Sequence, residues 1–242
     1  MIPKTIHFCW FGKNKKNELN TNCINSWKKH LKGYEFVEWN EDNFDVTHNG
    51  FASEAFSRHK YAFVSDYARL MILKRFGGIY LDTDVEVLKD FDPLLENDGF
   101  IGFADADPAS DKWEFNTACI GACPNNPWIE YLLSYYDDRK FKSDDGSYNT
   151  TTNSQIITKM SSDMFEKRDS EQMMGMGNIR IFPREYFDPF HPGEDKMVIT
   201  DNTFAIHWHD CSWGRPANNL ERISGFVQRK MDFFSAKKRI DK

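Results

Sequence analysis

Apolar and polar positions alternate along this chain in two periods, one helical and one extended. In "ELNTNCINSWKKHL" the apolar residues Leu19, Cys23, Ile24, Trp27 and Leu31 recur at helical spacing. "YEFVEW" (34–39) alternates as a strand, and "PKTIHFCWF" (3–11) predicts a first strand that Gly12 and the polar "KNKKN" end. A second helix is predicted over 61–76, "YAFVSDYARLMILKRF", with Phe63, Tyr67, Leu70, Met71 and Leu73 toward the core and Gly77-Gly78 as its stop. Short strands follow at "IYLD", "VEVL", "FIGFA", "TACIGA", "IRIF" and "FAIHWH". "PWIEYLLSYYDDRKF" reads as a helix with Pro127 near its first position. The polar stretch 143–154, "SDDGSYNTTTNS", predicts a loop over a site. Strands alternating with helices predict an α/β domain.

Composition narrows the class. A chain of 242 residues with 15% aromatics, 21 of them Phe, can bury a substantial core and is not a disordered tail. The net charge of −6 argues against general nucleic-acid binding, which needs a basic footprint, but leaves room for one anionic ligand held through a metal ion. Cys9, Cys23, Cys119, Cys123 and Cys211 are scattered and form no Cys-x-x-Cys pair, so buried thiols in a reduced compartment are expected. No apolar stretch reaches membrane-span length and the N-terminus has no long apolar leader, which predicts a cytoplasmic protein. From Asn218 onward seven Lys/Arg stand against three Asp/Glu, with Ile223, Phe226, Val227, Phe233 and Phe234 interspersed. The expected organisation is a catalytic domain over 1–217 and a basic amphipathic helix over 218–242, packed on it or touching anionic lipid.

The chemistry concentrates in "FGGIYLDTDVEVL", residues 76–88. Strands are depleted in Asp, yet Asp82 and Asp84 stand two apart at the end of an apolar run, where a regular strand would present both on one face. Two such carboxylates repel unless they share a proton or a divalent cation. A hard ion such as Mn²⁺ or Mg²⁺ takes oxygen ligands and keeps substrate phosphates in its shell, and open α/β sheets bind ligands at the carboxyl ends of strands. In the helix before that strand, Asp66 and Arg69 share a face at i and i+3. They form either an exposed ion pair of little value or a grip on sugar hydroxyls and phosphate.

Together "IPKTIHFCWFG", "SWKKHLKGYEFVEWN", "FVSDYARLMILKRFGGIYLDTDVEVL" and "AIHWHDCSW" resemble the glycosyltransferases with a DXD-containing sugar-binding region. That family includes the fungal initiating α-1,6-mannosyltransferase, bacterial capsule and lipopolysaccharide transferases and, more distantly, the clostridial glucosylating toxins. Fainter echoes in "NTACIGACPNNPWI" and "IRIFPREYFDPF" extend the likeness over nearly the whole chain.

The resemblance implies a GT-A-like nucleotide-sugar-binding fold, a mixed and mostly parallel central sheet flanked by helices. It also implies a nucleotide-sugar donor, UDP-sugar favoured, a Mn²⁺-like metal, retention of anomeric configuration and a glycan or lipid-linked glycan acceptor. By position, it puts Trp10 against the nucleotide base and Asn40 near the nucleoside. Asp66 and Arg69 grip the donor sugar, Tyr80 meets the diphosphate, Asp82 meets ribose and sugar, and Asp84 is the firmer metal ligand. Ser212 and Trp213 match a Ser-Trp pair that closes over the diphosphate. Many relatives read His-His-Trp before that pair. Here the order is His207-Trp208-His209, so either histidine could complete the metal shell, or either could be a core histidine on a backbone carbonyl.

Two other classes compete. Haloacid-dehalogenase-type phosphohydrolases also place D-x-D after an apolar strand, but with a small or β-branched residue four positions beyond the first Asp, where this chain has Glu86. A degenerate transferase that binds sugar nucleotide or glycan without turnover is the non-enzymatic alternative.

Overall fold

The computed structural model describes residues 1–106, 113–166, 170–190, 197 and 199–210. Ser212, Trp213, Cys211 and the basic segment 218–242 lie outside the described residues. The chain opens with β1 (Thr5–Cys9), α1 (Glu18–His30), β2 (Glu35–Trp39), α2 (Gly50–Ser57) and α3 (Tyr61–Phe76). Then come β3 (Gly78–Leu81), β4 (Val85–Val87), β5 (Gly99–Ala106), β6 (Trp113–Ala122) and α4 (Pro127–Leu133). It continues through α5 (Asn153–Ser161), β7 (Gln172–Met174), β8 (Ile179–Phe182) and β9 (Ala205–His207).

Seven strands form one sheet in the order β2-β1-β3-β6-β5-β8-β7, and β4 pairs with β9 in a separate two-stranded ribbon. Three pairings are parallel (β1 with β2, β1 with β3, β5 with β8), and the other three are antiparallel. Because only β6 and β7 run against the rest, five of the seven strands point the same way. The sheet is therefore mixed, as expected, with its parallel and antiparallel pairings equal in number.

Alternation along β3 sorts the core. Ile79 and Leu81 face one side, with Trp27 and Leu31 of α1, Ile6 and Phe8. Tyr80 faces the other, with Val64, Ala68 and Leu73 of α3, Phe51 of α2 and Trp128 of α4. A sheet covered on both faces explains why its inner strands read as continuous apolar runs.

Helix α3 begins and ends at the predicted residues, and the Gly77 N–H donates to the Leu73 carbonyl at 2.9 Å. Gly77 takes a φ of 64° and Gly78 one of 93°, the left-handed region that glycine enters without strain. A Cβ on Gly78 would come within 2.7 Å of the Thr5 carbonyl oxygen, so this glycine lets β3 close on β1.

Other expectations shift. Met71, expected in the core, is only half-buried, while the unpredicted Val64, Ala68, Arg69 and Ile72 are buried. The helix expected over 127–141 stops as α4 at Leu133 and tightens into a 3-10 turn over Ser134–Tyr136. The stretch 143–154 is irregular up to Thr152, but Asn153 already belongs to α5. Cys9, Cys23 and Cys119 are buried free thiols, and Cys123 is a half-buried one. Among the described residues no helix is long and apolar enough to cross a membrane.

Candidate functional site

Strands β1 and β3 are parallel, with Ile6 beside Ile79 and His7 beside Tyr80, so both end at the same edge of the sheet. Asp82 follows directly at that edge. The two aspartates do not sit on a strand as expected. The Val85 N–H donates to the Asp82 carbonyl at 3.1 Å, closing a turn over 82–85 between β3 and β4. The turn separates their partners: Asp82 is held from α3, and Asp84 from β9 and its continuation.

On the α3 side, Arg69 is the hub. Its guanidinium lies 3.1 Å from Asp66 Oδ1 and 3.2 Å from Asp82 Oδ1, and donates to the Thr117 carbonyl at 2.6 Å and the Ser65 carbonyl at 3.3 Å. It also packs over the Tyr80 ring at 4.5 Å. With 4% exposure, Arg69 is not the exposed partner of Asp66. It positions Asp82. Tyr80 does the same from below, its hydroxyl donating to Asp82 Oδ1 at 2.9 Å while its ring stays in the core. Burial pushes the Asp66 carboxyl up to about 6, although Arg69 opposes the rise. Burial alone would lower Arg69; the charge of Asp82, with Tyr80 and Asp66, outweighs it and keeps the guanidinium charged.

On the other side, β4 pairs with β9 and sets Val85 opposite His207. His207 Nε2 lies 3.6 Å from Asp84 Oδ1, and the Asp210 N–H donates to Asp84 Oδ2 at 2.8 Å. Burial would raise Asp84, but the charge of His207 and these hydrogen bonds hold it down to about 2. Burial would likewise lower His207, and the Asp84 charge instead raises it to about 9. One donor atom from each of Asp82, Asp84 and His207 lies within 4.8 Å of the others.

His209 is not on the strand with His207: β9 ends at His207, and His209 has a φ of 50°. Its Nε2 is 2.8 Å from Asp188 Oδ1, so of the two histidines it is His207 that joins the aspartate pair. Asp188 was not legible in the sequence as a site residue. Two carboxylates and an imidazole fit a hard divalent ion such as Mn²⁺, and Asp82, Asp84 and His207 are the residues that would hold it.

The remaining expected residues flank this centre. Trp10 is half-buried just beyond β1, its indole N–H donating to the Asn14 carbonyl at 2.6 Å, with the Lys16 ammonium 5.1 Å above the ring. Asn40 follows β2 and shapes its own turn: its Oδ1 accepts from the Asp42 N–H at 2.9 Å. The sequence also did not single out α1, whose Asn20 amide donates to Thr83 Oγ1 (3.3 Å) and whose cap Asn17 donates to Asp210 (3.1 Å). At the end of the polar stretch, Asn153 donates to the Asp66 carbonyl at 2.8 Å and to the Tyr136 hydroxyl at 3.1 Å.

Residues 17–101 match the family model described as a glycosyltransferase sugar-binding region containing a DXD motif. That segment is similar to the sugar-binding region of the family. The matched segment runs from α1 into β5 and includes Asp66, Arg69, Asp82 and Asp84. The chain is 28% identical over 154 residues to inositol phosphoceramide mannosyltransferase 1 of Schizosaccharomyces pombe, a match covering 58% of this chain and 45% of that protein. It is 25% identical over 248 residues to an uncharacterised glycosyltransferase of Acanthamoeba polyphaga mimivirus, covering 97% of this chain and 91% of the relative. Among solved structures, a glycosyltransferase involved in glycosylation of the major capsid of PBCV-1 aligns over 90% of this chain and 96% of its own, at 10% identity and a TM-score of 0.49. The match thus spans less than half of the yeast relative, but nearly all of the viral one.

Proposed function

We propose that this protein transfers a hexose or N-acetylhexosamine from a nucleotide diphosphate sugar, a UDP-sugar in first preference, to a glycan or lipid-linked glycan. Capsule and lipopolysaccharide synthesis are reactions of this kind. The observation that carries the reading is the convergence of Asp82, Asp84 and His207 at the carboxyl edge of β3, the two aspartates lying in the segment similar to a glycosyltransferase sugar-binding region. A bound divalent ion would supply electrostatic stabilisation of charge on the departing diphosphate.

The chain's own residues do the rest. Asp82, fixed by Arg69 and Tyr80, presents its remaining oxygen toward the ribose and sugar hydroxyls. Trp10 offers its ring to the base at the same sheet edge, and the family resemblance assigns Ser212 and Trp213 to the diphosphate. We assign none of the described side chains as a nucleophile for the anomeric carbon. Retention by same-face attack is therefore the reading. The acceptor oxygen bonds to the anomeric carbon as the bond to the phosphate oxygen breaks, and the hydroxyl proton passes to that oxygen. The setting is cytoplasmic, with segment 218–242 as a contact to anionic lipid.

The test is thermal melting with UDP or GDP, each with Mn²⁺ and with EDTA. The GDP arm covers a mannosyl donor, given that the yeast relative is named a mannosyltransferase. Ligand at 100 times its dissociation constant adds about 2.7 kcal/mol, an expected rise of roughly 5 to 11 °C. A rise with one nucleotide, and only with metal, supports the reading; no rise with either nucleotide sinks it.

Metal binding should also carry a proton signature. With His207 raised to about 9 and Asp84 lowered to about 2, the metal-free protein at pH 7 holds a protonated imidazole beside a carboxylate. A ligating imidazole must lose that proton. Mn²⁺ affinity is expected to rise as pH climbs from 6 toward about 9, with close to one proton released at pH 7. Calorimetry in two buffers of different ionisation enthalpy measures this, and metal binding without proton release would remove His207 from the ligand set.

A further inference from the structure

Beside His207 lie two further donors, Asp188 and His209, that the proposed transfer does not use. Residues 186–188 run along β9: the Phe204 N–H donates to the Tyr186 carbonyl at 2.8 Å and the His207 N–H to the Phe187 carbonyl at 3.2 Å. This pairing delivers Asp188 to the two histidines. His209 Nε2 is 2.8 Å from Asp188 Oδ1, and the His207 and His209 ring centroids are 3.9 Å apart. One donor atom from each of Asp188, His207 and His209 lies within 4.8 Å of the others. Side-chain movement of about an ångström brings them to the roughly 3.4 Å separations that bonds near 2.0 Å require around a tetrahedral ion.

Three features distinguish this cluster from a histidine merely resting on a carboxylate. Asp188 is 0% exposed and its Oδ2 has no hydrogen-bonding partner, an uncompensated burial that a cation would relieve. His209 is held at a φ of 50°, a backbone state that side-chain-bearing residues keep where their surroundings enforce it. The donor set also differs in kind. Two imidazoles and one carboxylate suit Zn²⁺, Co²⁺ or Ni²⁺, whereas the oxygen-rich set of Asp82, Asp84 and His207 suits Mn²⁺ or Mg²⁺.

We propose that Asp188, His207 and His209 form a second metal site, selective for zinc-like ions, that shares His207 with the aspartate site. A ring nitrogen of His207 bonds one ion at a time, so two sites that draw on the same nitrogen fill in competition. Zinc then lowers Mn²⁺ occupancy by withdrawing His207 while leaving Asp82 and Asp84 in place. The site is a device by which a borderline metal would switch off a hard-metal reaction.

The test uses the full-length, metal-free protein. Zn²⁺ and Mn²⁺ affinities are measured by calorimetry, with Co²⁺ as a visible-absorbing stand-in for zinc. Wild type is compared with Asp188→Asn, His209→Gln and Asp84→Asn. Asp188→Asn and His209→Gln are expected to weaken Zn²⁺ at least tenfold and to leave Mn²⁺ within about threefold. They should also abolish the intense four-coordinate Co²⁺ bands. Asp84→Asn is expected to weaken Mn²⁺ far more than Zn²⁺, and prebound Zn²⁺ to raise the apparent Mn²⁺ Kd. Zinc affinity untouched by His209→Gln, zinc that follows Asp84→Asn, or zinc and manganese binding independently would each overturn the proposal. If Asp188→Asn does not fold, His209→Gln alone decides. Absence of Mn²⁺ binding in the wild type would count against the transfer reaction and leave the zinc result to stand by itself.

Discussion

Replacing Asp84 by asparagine is expected to lower glycosyl transfer at least about a hundredfold, a loss of roughly 2.7 kcal/mol or more of transition-state stabilisation. The substitution keeps size and an acceptor oxygen for the Asp210 N–H, which donates to Asp84 at 2.8 Å, so the turn into β4 should persist. What it removes is the charge. Asp84 is the carboxylate that faces His207, and its low pKa of about 2 shows that it stays ionised across the working range. Without it the largest of the charges that hold the imidazole above its ordinary value is gone, and burial drives His207 the other way. Loss of rate should therefore come with loss of the proton released on Mn²⁺ binding. Steady-state transfer, or donor hydrolysis without acceptor, reads the first; calorimetry in two buffers reads the second. Turnover at the wild-type rate would show that the carboxylate is not a ligand.

The contrast between Asp84 and Asp188 marks how far sequence reading reached. Asp84 was legible because it breaks an apolar run two residues after another aspartate, a local signal. Asp188 meets His209 across 21 positions, through the pairing of 186–188 with β9, and the surrounding "YFDPF" carries no local sign of that contact. Helix α3 was read to the residue because its stop is a pair of glycines with positive φ, which few other residues could supply. Helix α5 was missed although its capping box is present, Thr152 bonding Gln155 in both directions. The polar run before it obscured the helix's short apolar face. Helix α2 has only eight residues and an Asn49 cap, and β7 is three residues long; neither offers enough periods to count.

The same contrast applies to Arg69. A spacing of i and i+3 identified its partner Asp66, but the sequence could not show that the pair is enclosed. That enclosure arises because α3 is packed around most of its circumference, with Ala68, Leu70, Ile72 and Leu73 all buried. A charged residue on such a helix has no solvated face to turn toward, and its value depends on the groups that meet it.

Replacing Arg69 by methionine should therefore cost stability as well as activity. The guanidinium binds Asp66 at 3.1 Å, Asp82 at 3.2 Å and the Thr117 carbonyl at 2.6 Å. Methionine fills much of the space and leaves two carboxylates and a carbonyl without their cation. Removing one partner of a buried ionic network costs about 3–5 kcal/mol, an expected fall in Tm of roughly 6 to 20 °C. The sign of its pH dependence follows from Asp66. Burial already raises this carboxyl to about 6 with Arg69 beside it, and without the cation it rises further. A folded pKa above the unfolded value favours the folded state at low pH, and that advantage is lost as pH climbs through the folded pKa. The variant should thus melt closest to wild type near pH 4 and fall furthest behind above pH 7. Adding Asp66→Asn removes one stranded charge and should recover part of the loss, whereas Arg69→Lys, with charge but no fork, should fall between the two. A methionine variant melting like wild type at pH 8 would mean that the enclosed pair holds nothing in place. Asp82 would then owe its orientation to Tyr80 and the turn alone.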